Sequence, residues 1–251
     1  MGTHTRYEVS DGIATMTLDH HPTRNALSGP LVNGLGDGLQ AAAEDDDVRV
    51  VVLTNAGSTF CAGADLKGSS DEAPRYDLPE LLSLILDHRK PVIGRIAGHC
   101  TGGGVGLAAA CDISVMTSEA TLGFTEVRIG VAPAVISVVC LPKMRQGDAL
   151  ELFLSGEKIS AQRAVQVGLI NHAVPAAELD DALGSILDKV LRGGPEALAV
   201  SKELVRRVPF LNRSAAFEWT LATSSERFGS AEAAEGIAAF REKRDPDWVP
   251  R

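Results

Sequence analysis

The segment Ile96–Asp112, IAGHCTGGGVGLAAACD, decides the reading of this chain. An apolar run, Pro91–Ala97, leads into three consecutive glycines, Gly102, Gly103 and Gly104. A small-residue helical pattern follows through Leu107, Ala108, Ala109 and Ala110. Strand, tight turn and helix start succeed one another within a few residues. Such a junction aims unpaired backbone N–H groups and the positive end of a helix dipole at one spot. Glycines there let a ligand reach the backbone without meeting a Cβ. The spot suits a phosphate, or an oxyanion formed during a reaction. The same residues also fit a plain turn with close helix–strand packing.

The pattern repeats upstream. Val48–Thr54 (VRVVVLT) is a β-branched run suited to a buried strand, broken by Asn55-Ala56-Gly57-Ser58. Thr59–Lys67 (TFCAGADLK) is a second small-residue turn. Gly68–Pro79 is polar and proline-containing, and reads as a mobile surface loop and a candidate lid. Glu80–His88 is helical. Strands alternating with helices imply parallel pairing through crossover helices, an α/β class. Before these come a hairpin, Arg6–Ser10 and Ile13–Leu18 around Asp11-Gly12, and a helix opened by Ser28-Gly29-Pro30. His20-His21 lacks metal-site spacing and reads as loop.

Downstream, Asp112–Met116 and Thr121–Phe124 are extended, followed by the polar string Thr125-Glu126-Val127-Arg128. Helices are expected at Ala134–Leu141, Gln146–Leu154 and Ala161–Val167, with Leu169–Val174 extended. Four further helical segments, from Leu179 to Lys243, complete the chain. The division is an α/β core over 1–174 and a helical region over 175–251.

Composition narrows the functional classes. The chain has 251 residues and a formal charge of −9, which argues against a nucleic-acid partner. Cys61, Cys100, Cys111 and Cys140 form no CxxC pair and read as buried reduced thiols. Met1–Asp11 is too polar for a secretory leader, and no apolar run reaches the ~18 residues of a membrane span. The expectation is a soluble cytoplasmic protein with no membrane contact.

Five stretches together resemble the enoyl-CoA hydratase/isomerase, or crotonase, family. They are Asn25-Ala26-Leu27, TFCAGADLK (Thr59–Lys67), GGGVGLAAACD (Gly102–Asp112), LGFTEVRIGVAP (Leu122–Pro133) and SAEAAEGIAAFREKRDPDW (Ser230–Trp248). They occur in the family's order and span nearly the whole chain. The resemblance implies a crotonase-like fold of repeated ββα units in two nearly perpendicular sheets, with a C-terminal helical region that assembles subunits and covers the active site. It implies a homo-trimer or hexamer acting on an acyl-CoA thioester, with no metal and no cofactor beyond the substrate's own coenzyme A. Carried over position by position, the oxyanion donors are the amides of Ala64 and Gly103, and the acid/base is Glu126. Ala62, Asp65, Leu66, Arg24 and Ala26 match the coenzyme A edge, and Gly106 and Thr125 complete the substrate-binding set. Read on their own, Arg24 is an ordinary surface arginine, Asp65 a helix N-cap, and Glu126 a surface charge or a partner of Arg128.

One departure is plain. Hydratases of the family hold a water between two glutamates, and the first of these positions is Gly106 here. The aspartate of dienoyl isomerases is also missing, its place taken by Ala134. A single glutamate suits a Δ3,Δ2-enoyl-CoA isomerase, which takes a proton at C2 and returns it at C4. Three functions compete: an enoyl-CoA hydratase or isomerase, an acyl-CoA binding protein with little turnover, and a phosphate or dinucleotide binder. The last lacks both GxGxxG and GxxxxGK[ST] spacing. Phe210, Leu211, Phe217, Trp219, Phe228 and Phe240 crowd the helical tail and call for burial on the core or on a neighbouring subunit.

Overall fold

The computed structural model describes residues 4–68 and 72–249. Strands β1 (Thr5–Ser10) and β2 (Ile13–Leu18) form the expected hairpin, in register from Thr5–Leu18 to Ser10–Ile13. Asp11 and Gly12 both have positive φ, 52° and 75°, the backbone that a two-residue hairpin turn of this twist requires. Helix α1 (Gly29–Glu44) follows, with Pro30 in its first turn. Then come β3 (Val50–Asn55), β4 (Thr59–Cys61), α2 (Leu78–Leu86), β5 (Val92–Ile96), β6 (His99–Thr101) and α3 (Gly103–Ala110). The order continues with β7 (Ile113–Thr117), β8 (Thr121–Gly123), α4 (Ala134–Cys140), α5 (Gln146–Ser155), β9 (Lys158–Ser160), α6 (Ala161–Gln166) and β10 (His172–Val174). Helices α7 (Leu179–Leu191), α8 (Pro195–Arg207), α9 (Arg213–Phe228) and α10 (Ala231–Glu242) end the chain.

The strands form two sheets. The larger has the order β1-β2-β3-β5-β7-β10, parallel apart from the hairpin. The smaller has the order β4-β6-β8-β9, with only the β8–β9 pair antiparallel. Each repeat places one long strand in the first sheet and one short strand in the second. Strands β4, β6 and β9 carry no strand signal in the sequence. Three residues are too few to show alternation, and only pairing across the repeats defines them.

Helix α3 is buried along its whole length, and its Gly/Ala-rich surface is apolar on every side. It packs so closely that a Cβ on Gly104 would collide with the Cys61 carbonyl. The other face of the larger sheet is covered by α7, through Leu183, Ile186, Leu187, Val190 and Leu191 over Val50 and Ile93. Three devices pin the helical tail. Lys202 Nζ and Arg206 Nη2 reach Asp112 at 2.7 and 3.0 Å. The Glu232 carboxylate accepts the amides of Glu196 and Ala197 at the start of α8. Arg49 donates to the carbonyls of Trp248 and Gly193.

One expectation changes, and another loses one of its two alternatives. The Gly68–Pro79 loop is tied down over its described second half, while its residues 69–71 lie outside the described part. The buried Asn33 donates to Glu72 Oε1 (2.8 Å) and the Ala73 carbonyl (3.2 Å) and accepts the Arg75 amide (2.6 Å). A buried amide needs these partners, and they hold the loop on α1. The tail aromatics, in turn, do not bury against the core. Phe210 and Phe240 are 82% and 85% exposed, and Phe217 and Phe228 are also exposed, while Trp219 stacks under the Arg207 guanidinium.

Asn25 supports the segment that will meet the site. It has φ +55° and is buried. Its Oδ1 accepts the His20 amide (2.6 Å), and its Nδ2 donates to the Thr59 carbonyl (2.8 Å). Asn25→Ala leaves both backbone groups without their partner and keeps a residue ill-suited to left-handed backbone. Urea denaturation should show a loss of about 3 kcal/mol, within the range for orphaned buried polar groups.

Candidate active site

The site is built where two loops meet. The first follows β4 and runs Ala62–Leu66; the second is Gly102–Gly103 at the start of α3. Gly63 has φ +85°, and a Cβ there would fall 2.8 Å from the Thr101 carbonyl and 3.2 Å from the Gly103 nitrogen. No other residue allows the two backbones this approach. The carbonyls of the first loop are turned away and satisfied. Leu27 N–H donates to the Gly63 carbonyl (2.8 Å) and Thr101 Oγ1 to the Ala62 carbonyl (2.9 Å). Ala62 N–H in turn donates to the Arg24 carbonyl (3.1 Å). Among the described residues, the N–H groups of Ala64 and Gly103 meet no acceptor of the protein. Two unpaired donors on facing turns, one at a helix N-terminus, form an electropositive spot.

Glu126 reaches this place from a 3₁₀ turn, Thr125–Ile129, that ends at Gly130 in left-handed backbone (φ 75°). Its carboxylate lies over Gly102. A Cβ on Gly102 would come within 3.2 Å of Glu126 Oε1, and φ +53° there demands glycine as well. Glu126 Oε2 is buried and has no hydrogen-bond partner. Burial pushes the carboxyl above its ordinary value, opposed in part by a hydrogen bond from its own backbone amide. Arg128 makes no ion pair with it, and the surface-charge reading of Glu126 does not fit a buried, unpaired oxygen.

A cavity of about 320 Å³ opens between these parts. Ala62, Gly63, Ala64 and Leu66 form one wall, Gly102 and Gly103 the floor, and Thr125 and Glu126 the opposite edge. Leu27, Leu78, Ile129, Val131, Val135 and Ile136 close it with apolar surface. Among the described residues, Glu126 is the one charged side chain in the lining. A carboxylate in such surroundings is suited to taking and returning a proton from carbon, provided the resulting negative charge has a place to go. The unpaired amides supply that place.

The expected residues divide into two groups. Ala62, Ala64, Leu66, Gly103, Thr125 and Glu126 all line the cavity. Arg24, Ala26, Asp65 and Gly106 do not. Arg24 is exposed on the rim at φ +56°, and Ala26 is buried beside it. Asp65 Oδ1 accepts the Lys67 amide (3.2 Å) within a turn; no helix begins there, so it caps none. Gly106 was expected in the substrate-binding set and is instead covered. A Cβ on it would sit 3.0 Å from Ile136 Cβ and closer still to Ile136 Cγ2. The apolar closure from Leu27, Leu78 and the 129–136 segment was missed. Its signal in the sequence is the alternation of Val127, Ile129 and Val131 just after Glu126.

The chain is similar to known proteins over nearly its whole length. The family model described as "Enoyl-CoA hydratase/isomerase" matches residues 8–251. The carnitinyl-CoA dehydratase of Proteus mirabilis is 33% identical over 242 residues, covering 92% of each chain. The crystal structure of an enoyl-CoA hydratase from Mycobacterium smegmatis superposes with a TM-score of 0.90 at 31% identity over 98% of each chain. That from Bacillus anthracis does so with a TM-score of 0.90 at 28% identity, over 99% of this chain and 100% of the other. The two-sheet architecture with its C-terminal helices is therefore the crotonase fold. The chain belongs to the enoyl-CoA hydratase/isomerase family, a family of lyases and isomerases.

Proposed function

We propose that this protein is an acyl-CoA enzyme that forms a thioester enolate. The thioester oxygen takes hydrogen bonds from the Ala64 and Gly103 amides, and Glu126 moves a proton at the adjacent carbon. The observation behind this reading is the buried, partnerless Glu126 Oε2 in a cavity that also holds two unpaired amides. Proton movement on an enoyl thioester changes no oxidation state and needs no redox cofactor, and with two amides to take the enolate charge the proposed reaction requires no metal; coenzyme A belongs to the substrate. Arg24, Ala26, Ala62, Asp65 and Leu66 form the edge along which the coenzyme A portion lies. Hydration and double-bond isomerisation both start from this arrangement. An acyl-CoA binding role with little turnover is the second reading, favoured by the absence of a carboxylate at Gly106. Free, buried thiols suit a reducing compartment, and we place the enzyme in the cytoplasm. No described helix is long and apolar enough to cross a membrane.

Replacing Glu126 by Gln tests the chemistry. On the best of a panel of 2-enoyl- and 3-enoyl-CoA esters, Glu126→Gln should lower turnover by at least ~10²-fold while the ester still binds. A variant within a few-fold of wild type would place the chemistry elsewhere, or leave only the binding role. The carboxylate form increases as pH rises through a value raised by burial. Turnover should therefore climb with pH in a window above the ordinary carboxylate range. The sign for stability is opposite. The neutral carboxyl favours the fold at low pH, and that contribution is lost as pH rises through the raised value. Glu126→Gln should melt at or above the wild-type temperature at neutral pH.

Gly103→Val tests the oxyanion floor. The nearest obstacle to a Cβ there is the flexible end of Leu27, Cδ1 at 2.6 Å, so the fold should tolerate it. The side chain would block the approach to the amide and cost about 10²–10³ in rate, the scale for loss of one such donor. Full activity in a folded Gly103→Val protein would remove Gly103 from the site.

Assembly follows from the exposed tail. Phe210, Phe217, Leu221, Phe228 and Phe240 leave large apolar surfaces in water on a single chain. Together with the family resemblance they support a homo-trimer or a hexamer. Sedimentation at micromolar concentration should show no monomer; a monomer alone would refute this.

A further inference from the structure

We propose that Ile136 sets the reaction outcome: it keeps water from the place opposite Glu126, so that the site isomerises 3-enoyl thioesters in preference to hydrating 2-enoyl ones. The proposal rests on Glu126 being the acid/base. Residues 102 and 106 lie one helical turn apart, on one face of the start of α3, with Gly106 N–H directed at the Gly102 carbonyl (3.4 Å). Glu126 covers the first of these positions and Ile136 the second. Both side chains line the same cavity. A second carboxylate projecting from position 106 would need the volume that Ile136 occupies. Ile136 is 2% exposed, and its β-branched side chain is held rigid in the first turn of α4. The segment that carries it along the lining, Val131–Ile136, has no polar side chain, so among the described residues only Thr125 and Glu126 bring polar side chains to this cavity that could hold a water. Glycine at 106 and isoleucine at 136 are thus complementary, and together they replace a polar pair with packed hydrocarbon.

The two reactions differ in what they require. In isomerisation the C2–H bond breaks, the proton passes to the Glu126 carboxylate, and its electron pair spreads into the thioester carbonyl. The carboxyl then returns the proton to C4 as the double bond settles between C2 and C3. Nothing is consumed. Hydration adds a water oxygen to C3 and a proton to C2, and needs a second group to hold that water. A site with one carboxylate and hydrocarbon where a second would project supports the first sequence and starves the second.

The experiment uses the purified full chain with matched 3-enoyl- and 2-enoyl-CoA esters, following gain and loss of conjugated thioester absorbance. Wild type should isomerise faster than it hydrates. Ile136→Ala should raise the ratio of hydration to isomerisation about tenfold or more, with Ile136→Val between. Ile136→Thr keeps the branched shape, supplies a hydroxyl that can hold a water, and should move the ratio in the same direction should the alanine variant fold poorly. Gly106→Glu/Ile136→Gly should shift it furthest. A 3-enoyl ester deuterated at C2 gives a second readout. Wild type should carry label to C4, and the opened variants should lose it to solvent. Folded variants whose ratio stays within twofold of wild type, or a wild type that hydrates as fast as it isomerises, would overturn the role of Ile136. No turnover of either ester by wild type would instead overturn the reading of Glu126, a separate outcome.

Discussion

The close approach of two backbones, at Gly63 and Gly103, is the constraint on which the rest of the structure depends. A methyl group on Gly63 would fall 2.8 Å from the Thr101 carbonyl, which ordinary side chains never accept. Because the glycines lack that methyl, the loop after β4 and the start of α3 can face each other with N–H groups unpaired. Unpaired donors are costly in an interior and useful at a reaction centre. The surrounding hydrogen bonds serve to hold them so. Leu27 and Thr101 engage the carbonyls of the first loop, and no carbonyl is left to fold back on the amides.

The double sheet explains how that approach is made reproducible. Each repeat sends its long strand into the larger sheet and its short strand into the smaller one, so the turn after each short strand emerges on the same side. The turns after β4, β6 and β8 supply, in that order, the Ala64 amide, the Gly103 amide and Glu126. Groups distant in sequence are brought together by neighbouring strands, and parallel pairing sets their spacing. The helix α3 behind them is entirely buried, so the first turn has little room to move.

Apolar surface around Glu126 shapes the chemistry as much as the carboxylate does. With Oε2 buried and unpaired, the charged form is disfavoured, and the carboxyl holds its proton more tightly than an ordinary glutamate does. The same hydrocarbon that raises its proton affinity leaves few places for water. In the proposed reaction, proton affinity and reaction choice are both set by one group of residues, Val131 to Ile136. The tail acts at longer range. Asp112 and Arg49 fasten it to the core, Glu232 ties α10 to the start of α8, and its phenylalanines remain turned outward.

Sequence by itself determined the long elements and the backbone part of the site. Asp11-Gly12 specified its turn through the need for two positive φ values. The β-branched run Val48–Thr54 and the largely apolar run Pro91–Ala97 announced buried strands. The glycine triplet marked the amide-bearing turn, because only glycine suits such backbone. Glu126 stood out as a carboxylate bounded by apolar runs. The tertiary structure alone decided the rest. Strands β4, β6 and β9 exist through pairing between repeats, which three residues cannot signal. Asn33 turned half of an expected loose loop into an anchored one, through contacts some 40 positions apart in sequence. Gly106 moved out of the cavity lining because Ile136, 30 residues later, fills the space beside it. Volume is shared between segments that meet only in the folded chain, so a vacancy read from one residue can be closed by another, and nothing local in the sequence records it.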